Sequence, residues 1–114
     1  MLNRLLGAKP AIPEIDVATL AGDQAAGKDI QIVDVRESNE WAAGHLPGAV
    51  VIPLGEIAHR ARELDQTRPV VVVCRSGNRS ATATAFLLRS GFRDVKNLIG
   101  GTVAWAKAGH PVVR

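Results

Sequence analysis

The sequence predicts an α/β fold with a largely parallel sheet, and three observations lead to that prediction. Strand-like and helix-like segments alternate along most of the 114 residues. Residues 69–74 form a continuous apolar run, which is typical of a strand buried on both faces of a parallel sheet. Hydrophobic residues make up 46% of the chain, which is enough to build the core of one domain.

Four segments have the composition of strands. They are rich in β-branched or other apolar residues and are bounded by turn-forming or charged residues. They cover residues 30–35, 48–52, 69–74 and 95–98. Because helix-like segments separate them, right-handed crossovers are expected to place them side by side in parallel.

The segments between the strands are predicted to be helical. They cover residues 16–24, 40–43, 54–64, 78–90 and 102–108. Asp16 is placed to cap the first helix. Ser38 or Asn39 is expected to cap the second, which ends at Gly44. Apolar residues at helical spacing support the third.

Residues 1–11 are expected to form a flexible lead-in, because Pro10 and Pro13 mark the end of an irregular segment. This lead-in lacks the apolar core of a signal peptide. Nowhere does the chain approach the ~20 consecutive apolar residues that a membrane span needs. A cytoplasmic protein with no membrane partner is therefore expected.

The residue counts argue against several classes of site. The chain has one cysteine, Cys74, and so cannot form an intrachain disulfide. Its three histidines are scattered, which predicts no metal site. Basic residues are not interleaved with aromatic ones, so no nucleic-acid partner is expected. Gly100 and Gly101 are expected to form a tight turn, since no phosphate-binding glycine pattern is present.

Cys74 falls at the carboxyl end of the most apolar predicted strand, where parallel α/β folds bind their ligands. A helix start follows, with unpaired N–H groups and a positive dipole end that favour a thiolate. Arg75 and Arg79 add positive charge, and Gly77 lets the backbone curl inward. The pattern predicts a nucleophilic thiolate. The alternative is a solvated arginine face around an inert, buried cysteine.

Residues 74–80 resemble the active-site loop of the rhodanese family, and further segments agree with that family in order and spacing. These segments are residues 32–36 with Glu40 and Trp41, residues 44–49 with 52–53, and residues 91–112. The resemblance spans residues 15–113. Thr102 and Val103 depart from the family, which often has a methionine after the double glycine.

The resemblance implies a rhodanese-like domain over residues 12–114, with a largely parallel five-stranded sheet flanked by helices on both faces. It implies a sulfurtransferase that moves a sulfane sulfur from an anionic donor such as thiosulfate to cyanide or a thiol. Cys74 would carry the sulfur as a persulfide, without a cofactor. The substrate-binding residues would be Arg75, Ser76, Gly77, Asn78, Arg79 and Ser80. The alternative is a sulfur-carrier module loaded by a relay protein.

The length of the loop separates this chemistry from a related one. Four residues lie between Cys74 and Arg79, whereas cysteine phosphatases have five. A shorter loop makes a smaller pocket, so phosphatase or arsenate reductase activity ranks below sulfur transfer. Since the chain has no second thiol, a persulfide must be passed to another molecule.

Asp34, Arg36 and Trp41 are expected to support the site. Asp34 and Arg36 follow a buried strand. A structural role is favoured, in which an ion-pair network such as Arg36 with Glu40 fixes that loop; the alternative is a pair that shapes the pocket. Trp41 is expected to pack in the core or at its rim, with the mouth of the site as the alternative. His45 is expected to be a hydrogen-bonded turn residue, with a general base as the alternative.

Overall fold

The sheet has five strands in the order β1-β5-β4-β2-β3, and every neighbouring pair is parallel. The strands are β1 Glu14–Ile15, β2 Gln31–Asp34, β3 Val50–Val51, β4 Val70–Val73 and β5 Val95–Leu98. This computed structural model describes residues 11–114, so the predicted lead-in lies outside the described residues except for Ala11. The predicted α/β class and parallel sheet are confirmed.

In the part of the chain that the structure describes, four α-helices connect successive strands and a fifth follows the last strand. They are α1 Val17–Ala25, α2 Ser38–Ala43, α3 Ile57–Arg60, α4 Asn78–Arg89 and α5 Gly101–Lys107. Within residues 11–114, none of the helices is long and apolar enough to cross a membrane.

The single helix predicted over residues 54–64 is wrong. The structure has 3₁₀ turns at Leu54–Glu56 and Ala61–Glu63 on either side of the four-residue α3. The reason lies in the spacing of the apolar residues, which are three apart at both ends of the segment. That spacing matches the three residues per turn of a 3₁₀ helix, in which positions i and i+3 eclipse.

The cap predicted for α2 is also wrong. Glu37 is the N-cap, and it forms a reciprocal capping box with Glu40, whose carboxylate accepts the Glu37 N–H at 2.9 Å. Ser38 and Asn39 lie inside the helix with exposed side chains. Two backbone donors are satisfied by the box, against one by a simple Ser or Asn cap.

The core lies on both faces of the sheet, and β4 divides it. Val70 and Val72 face α3 and α4, whereas Val71 and Val73 face α1 and α5. All four are at most 3% exposed, and burial stabilises each by roughly 1.5–3 kcal/mol relative to an exposed side chain. Helices on both faces are therefore confirmed, and β4 is a rigid support for the residue that follows it.

Candidate active site

Cys74 follows β4, the central strand, and its side chain lies on the α4 side of the sheet. The residue is only 1% exposed. Its Sγ accepts hydrogen bonds from the Gly77 N–H at 3.1 Å and from the Ser80 hydroxyl at 3.2 Å. The alternation of side chains along β4 thus places the sulfur directly under the start of α4.

The loop after Cys74 owes its curl to Gly77. This residue is the N-cap of α4 with φ +106°, a left-handed conformation that residues with a side chain rarely adopt. In that conformation its N–H points at the sulfur while its carbonyl accepts the Ala81 N–H at 3.1 Å. Gly77 therefore both caps the start of α4 and donates a hydrogen bond to the sulfur.

The Cys74 thiol has a pKa below its ordinary value. Burial of the thiol raises the pKa, but hydrogen bonds to the sulfur outweigh that effect. The Ser80 side chain contributes most among them, followed by the backbone N–H groups of Ser80, Gly77 and Ser76. The donors of the loop are therefore the largest causes that lower this pKa, and the charge of Arg79, which interacts with Cys74, acts in the same direction.

The amino-terminal end of α5 holds the outer side of the loop. The Thr102 N–H donates to the Cys74 carbonyl at 2.9 Å, and the Val103 N–H donates to the Arg75 carbonyl at 3.2 Å. A Cβ on Gly101 would lie 2.2 Å from the Cys74 carbonyl oxygen. The absence of a side chain at Gly101 therefore permits this close approach. The sequence predicted a tight turn there but not this contact with the loop.

Asn97 contacts the site but was not predicted from the sequence. It lies on β5 and is only 4% exposed. Its Nδ2 donates to the Gly77 carbonyl at 3.1 Å, and its Oδ1 is 2.5 Å from the Ser80 hydroxyl. The one available signal was an amide two residues after Val95, on the face of β5 that Val95 buries in the core.

The predicted substrate-binding residues divide into buried and exposed groups. Gly77 and Ser80 are buried against the sulfur. The side chains of the others are exposed or half-buried at the outer surface of the loop and of α4; they are Arg75, Ser76, Asn78 and Arg79.

Arg79 has a carboxylate partner. Its guanidinium donates to both oxygens of Glu40, at 2.7 and 3.1 Å. This pair, with the Glu37 N–H, lowers the pKa of Glu40 to about 2. The predicted pair of Arg36 with Glu40 is wrong, because Arg36 pairs with Asp34 instead.

Asp34 and Arg36 form a buried, bidentate ion pair. The Asp34 carboxylate accepts the Arg36 backbone N–H, Nε and Nη2, with the Nη2 contact at 2.7 Å. Arg36 Nη2 also donates to the Gly44 carbonyl at 2.7 Å. The pair therefore fixes the loop after β2, which is the structural role that the sequence favoured.

Trp41 and His45 pack on each other beside this loop. Their rings stack with centroids 3.8 Å apart. Trp41 Nε1 donates to the Ala49 carbonyl at 3.1 Å, and His45 Nδ1 is 2.7 Å from the Trp41 carbonyl oxygen. His45 is hydrogen-bonded, as predicted, but it lies in an isolated antiparallel bridge with Val113 and not in a turn. Among the described residues, no three His, Cys, Asp or Glu side chains are grouped to hold a metal ion.

The structure combines a parallel sheet covered by helices on both faces with a loop after the central strand whose donors converge on a buried cysteine sulfur. The Rhodanese-like domain model matches residues 17–108. The chain therefore belongs to the rhodanese-like domain family of sulfurtransferases.

Three relatives agree with this assignment. A protein named sulfurtransferase from Allochromatium vinosum is 41% identical over 102 residues, which cover 90% of this chain and 95% of that protein. The thiosulfate sulfurtransferase GlpE of Shewanella oneidensis is 42% identical over 81 residues, covering 71% and 80%. The putative sulfur carrier protein YrkF of Bacillus subtilis is 37% identical, and the match covers 83% of this chain but 51% of that protein.

A solved structure shows the same fold. The rhodanese-related protein of Thermoplasma volcanium superposes with a TM-score of 0.81 at 32% identity, covering 89% of this chain and 97% of that one. The predicted resemblance is confirmed.

Proposed function

We propose that this protein is a thiosulfate-type sulfurtransferase and that Cys74 carries the transferred sulfur. The observation that carries the proposal is the environment of Sγ, which is buried beneath α4 and accepts hydrogen bonds from Gly77 and Ser80. Such donors stabilise negative charge at Sγ, both in the attacking thiolate and in the thiolate that leaves when the persulfide is consumed.

The reaction has two steps. The Cys74 thiolate attacks the outer sulfur of thiosulfate, a new S–S bond forms, and sulfite leaves with the electron pair of the broken bond. A cyanide ion or thiolate then attacks the outer sulfur of the persulfide, and Cys74 leaves as a thiolate. No metal or organic cofactor takes part in either step.

The loop supports a small anionic donor. Sγ lies at the base of the loop, so a donor must be slender enough to bring its outer sulfur to a residue that is 1% exposed. The backbone N–H groups of residues 75–80 would surround that sulfur, and Arg75, whose side chain is exposed beside the loop, would attract the anion. Arg79 would do so less strongly, because Glu40 neutralises part of its charge.

The test is thiocyanate formation from thiosulfate and cyanide. We expect turnover by the protein and none by Cys74→Ser, which keeps a hydroxyl in place of the thiol. Arg75→Ala should raise the KM for thiosulfate more than it lowers kcat. Equal turnover by Cys74→Ser would contradict the assignment of Cys74.

A sulfur-carrier module is the second candidate, because the match to the putative sulfur carrier YrkF covers most of this chain. In that case a partner protein would load Cys74, and the lack of a second thiol would again require an external acceptor. Loading of Cys74 by a persulfide-bearing partner, but not by thiosulfate, would favour this function over the first.

A further inference from the structure

The amide of Asn97 has one favourable orientation. Its Nδ2 lies 3.1 Å from the Gly77 carbonyl oxygen, which can only accept a hydrogen bond. The reversed amide would place two acceptors against each other. Oδ1 therefore faces the Ser80 hydroxyl, at 2.5 Å, and can only accept from it.

The Ser80 hydroxyl is shared between two acceptors but has one proton. Its oxygen lies 2.5 Å from Asn97 Oδ1 and 3.2 Å from Cys74 Sγ. When Cys74 is a neutral thiol, S–H can donate to Ser80 while Ser80 donates to Asn97, and each contact has its own proton. A thiolate has no proton to offer, so it competes with Asn97 for the hydroxyl.

We propose that Asn97 is a positioning residue that holds the Ser80 proton away from the sulfur until negative charge develops there. Ser80 donates to Asn97 when Sγ is uncharged, and rotates to donate to Sγ when Sγ is a thiolate. The same amide anchors the Gly77 carbonyl, so it also fixes the loop in which this rotation takes place.

The rotation matters most in the second step, and in that respect the inference rests on the proposed function. In the persulfide, Sγ is bonded to Cβ and to the outer sulfur, and the outer sulfur carries the charge. When an acceptor attacks the outer sulfur, the S–S bond breaks and its electron pair passes to Sγ. The Ser80 O–H then turns from Asn97 Oδ1 to Sγ and stabilises the leaving thiolate, while the proton stays on Ser80.

The proposal predicts opposite effects of the two side chains on the acidity of Cys74. Ser80→Ala removes the donor and should raise the pKa of the thiol. Asn97→Ala frees the donor and should lower it, by roughly threefold to tenfold in the acid dissociation constant, which corresponds to one ordinary hydrogen bond.

The decisive experiment is a double-mutant cycle read by the pH dependence of alkylation with iodoacetamide. The four proteins are the wild type, Ser80→Ala, Asn97→Ala and the double variant. We expect Asn97→Ala to lower the pKa in the presence of Ser80 and to have no such effect in the Ser80→Ala background. An equal shift in both backgrounds, or none in either, would overturn the proposal and leave Asn97 as an anchor of the loop.

A second variant keeps the test valid if Asn97→Ala does not fold. Asn97→Leu has nearly the same shape, fills the same volume and removes the acceptor for the Ser80 proton. It should lower the pKa of Cys74 in the presence of Ser80 and leave it unchanged in the Ser80→Ala background. An equal shift in both backgrounds would contradict the proposal. Alkylation needs no sulfur donor, so failure of the proposed sulfur transfer would be seen separately.

Discussion

The loops after β2 and β4 lie side by side at the same edge of the sheet and use their polar groups differently. Asp34, at the end of β2, is the register partner of Val73 in β4. After β2, the carboxylate of Asp34 and the guanidinium of Arg36 satisfy each other. After β4, the donors of Gly77 and Ser80 converge on the sulfur of Cys74. The loop after β2, called the structural loop, therefore satisfies its own charged groups. The loop after β4, called the reactive loop, directs its donors at the atom that we propose as the nucleophile.

The two loops are joined by a single described ion pair between the helices that follow them. Glu40 of α2 binds Arg79 of α4 through both carboxylate oxygens. The pair is partly exposed, at 28% and 37% of the side chains, unlike the buried pair of Asp34 and Arg36. The contrast between a structural and a reactive loop can thus be tested at each loop and at the link.

Breaking the structural loop should have the largest effect on stability. Asp34→Ala leaves the buried Arg36 guanidinium without its carboxylate, and loss of one partner of a buried pair costs about 3–5 kcal/mol. Urea unfolding should show this loss. The folded fraction should keep the alkylation profile of Cys74, because Asp34 makes no hydrogen bond to that sulfur.

The double variant Asp34→Ala/Arg36→Met is the control for the uncompensated charge. It removes both ions, and so it should be less destabilised than Asp34→Ala. If the two variants lose the same stability, the buried charge is not the cause.

Displacing the reactive loop should have the next largest effect. Gly101→Ala places a methyl group 2.2 Å from the Cys74 carbonyl oxygen, so the loop must move. Sulfur transfer should fall by about a hundredfold, which is the order of effect expected when a reacting group is misplaced by about 1 Å.

Gly109→Ala is the matched control for this effect. Gly109 also has a positive φ, +83°, but a Cβ there would meet nothing within 4 Å. Gly109→Ala therefore introduces backbone strain without a clash. Sulfur transfer by this variant should stay near that of the wild type. Equal losses in the two variants would show that strain, and not the position of the loop, is responsible.

Weakening the link between the loops should have the smallest effect. The pKa of Glu40 is lowered from 4.5 to about 2, so its contribution to stability is present above pH 4.5 and is lost as the pH falls towards 2. Glu40→Gln should reduce stability at neutral pH by no more than about 1 kcal/mol, because the pair is partly exposed and screened. Unfolding curves at pH 7 and pH 3 should show a smaller difference between the two proteins at the lower pH. A stability difference that is the same at pH 7 and pH 3 would contradict the assignment of this effect to the ionised Glu40 carboxylate.

The sequence predicts those elements whose own residues show a clear composition or a clear stop residue. The apolar runs that became β2 and β4 are long enough to show β-branched enrichment, and Gly91 follows the predicted long helix. The two-residue strand β1, Glu14–Ile15, was not predicted from the residues. Two residues are too few to show an alternation of apolar and polar side chains, and the strand forms by pairing with β5, which is distant in sequence. Only the resemblance to a five-stranded family implied it.

The site residues that are contiguous in sequence could be predicted, whereas those that come from distant segments could not. The loop from Cys74 to Ser80 is continuous, so its chemistry was visible. Asn97 lies on another strand and reaches Ser80 across 17 positions, and no spacing rule reports such a contact. Glu40 was predicted to pair with Arg36, four positions away, but it pairs with Arg79, 39 positions away.

The most direct test of the account is the mass of the intact protein after exposure to thiosulfate and then to cyanide. We expect a gain of about 32 Da, one sulfur atom, and its loss when cyanide is added. Cys74→Ser should gain nothing. A wild-type protein that gains no sulfur from any donor, or a Cys74→Ser variant that gains it equally, would contradict the central claim that Cys74 carries the sulfur.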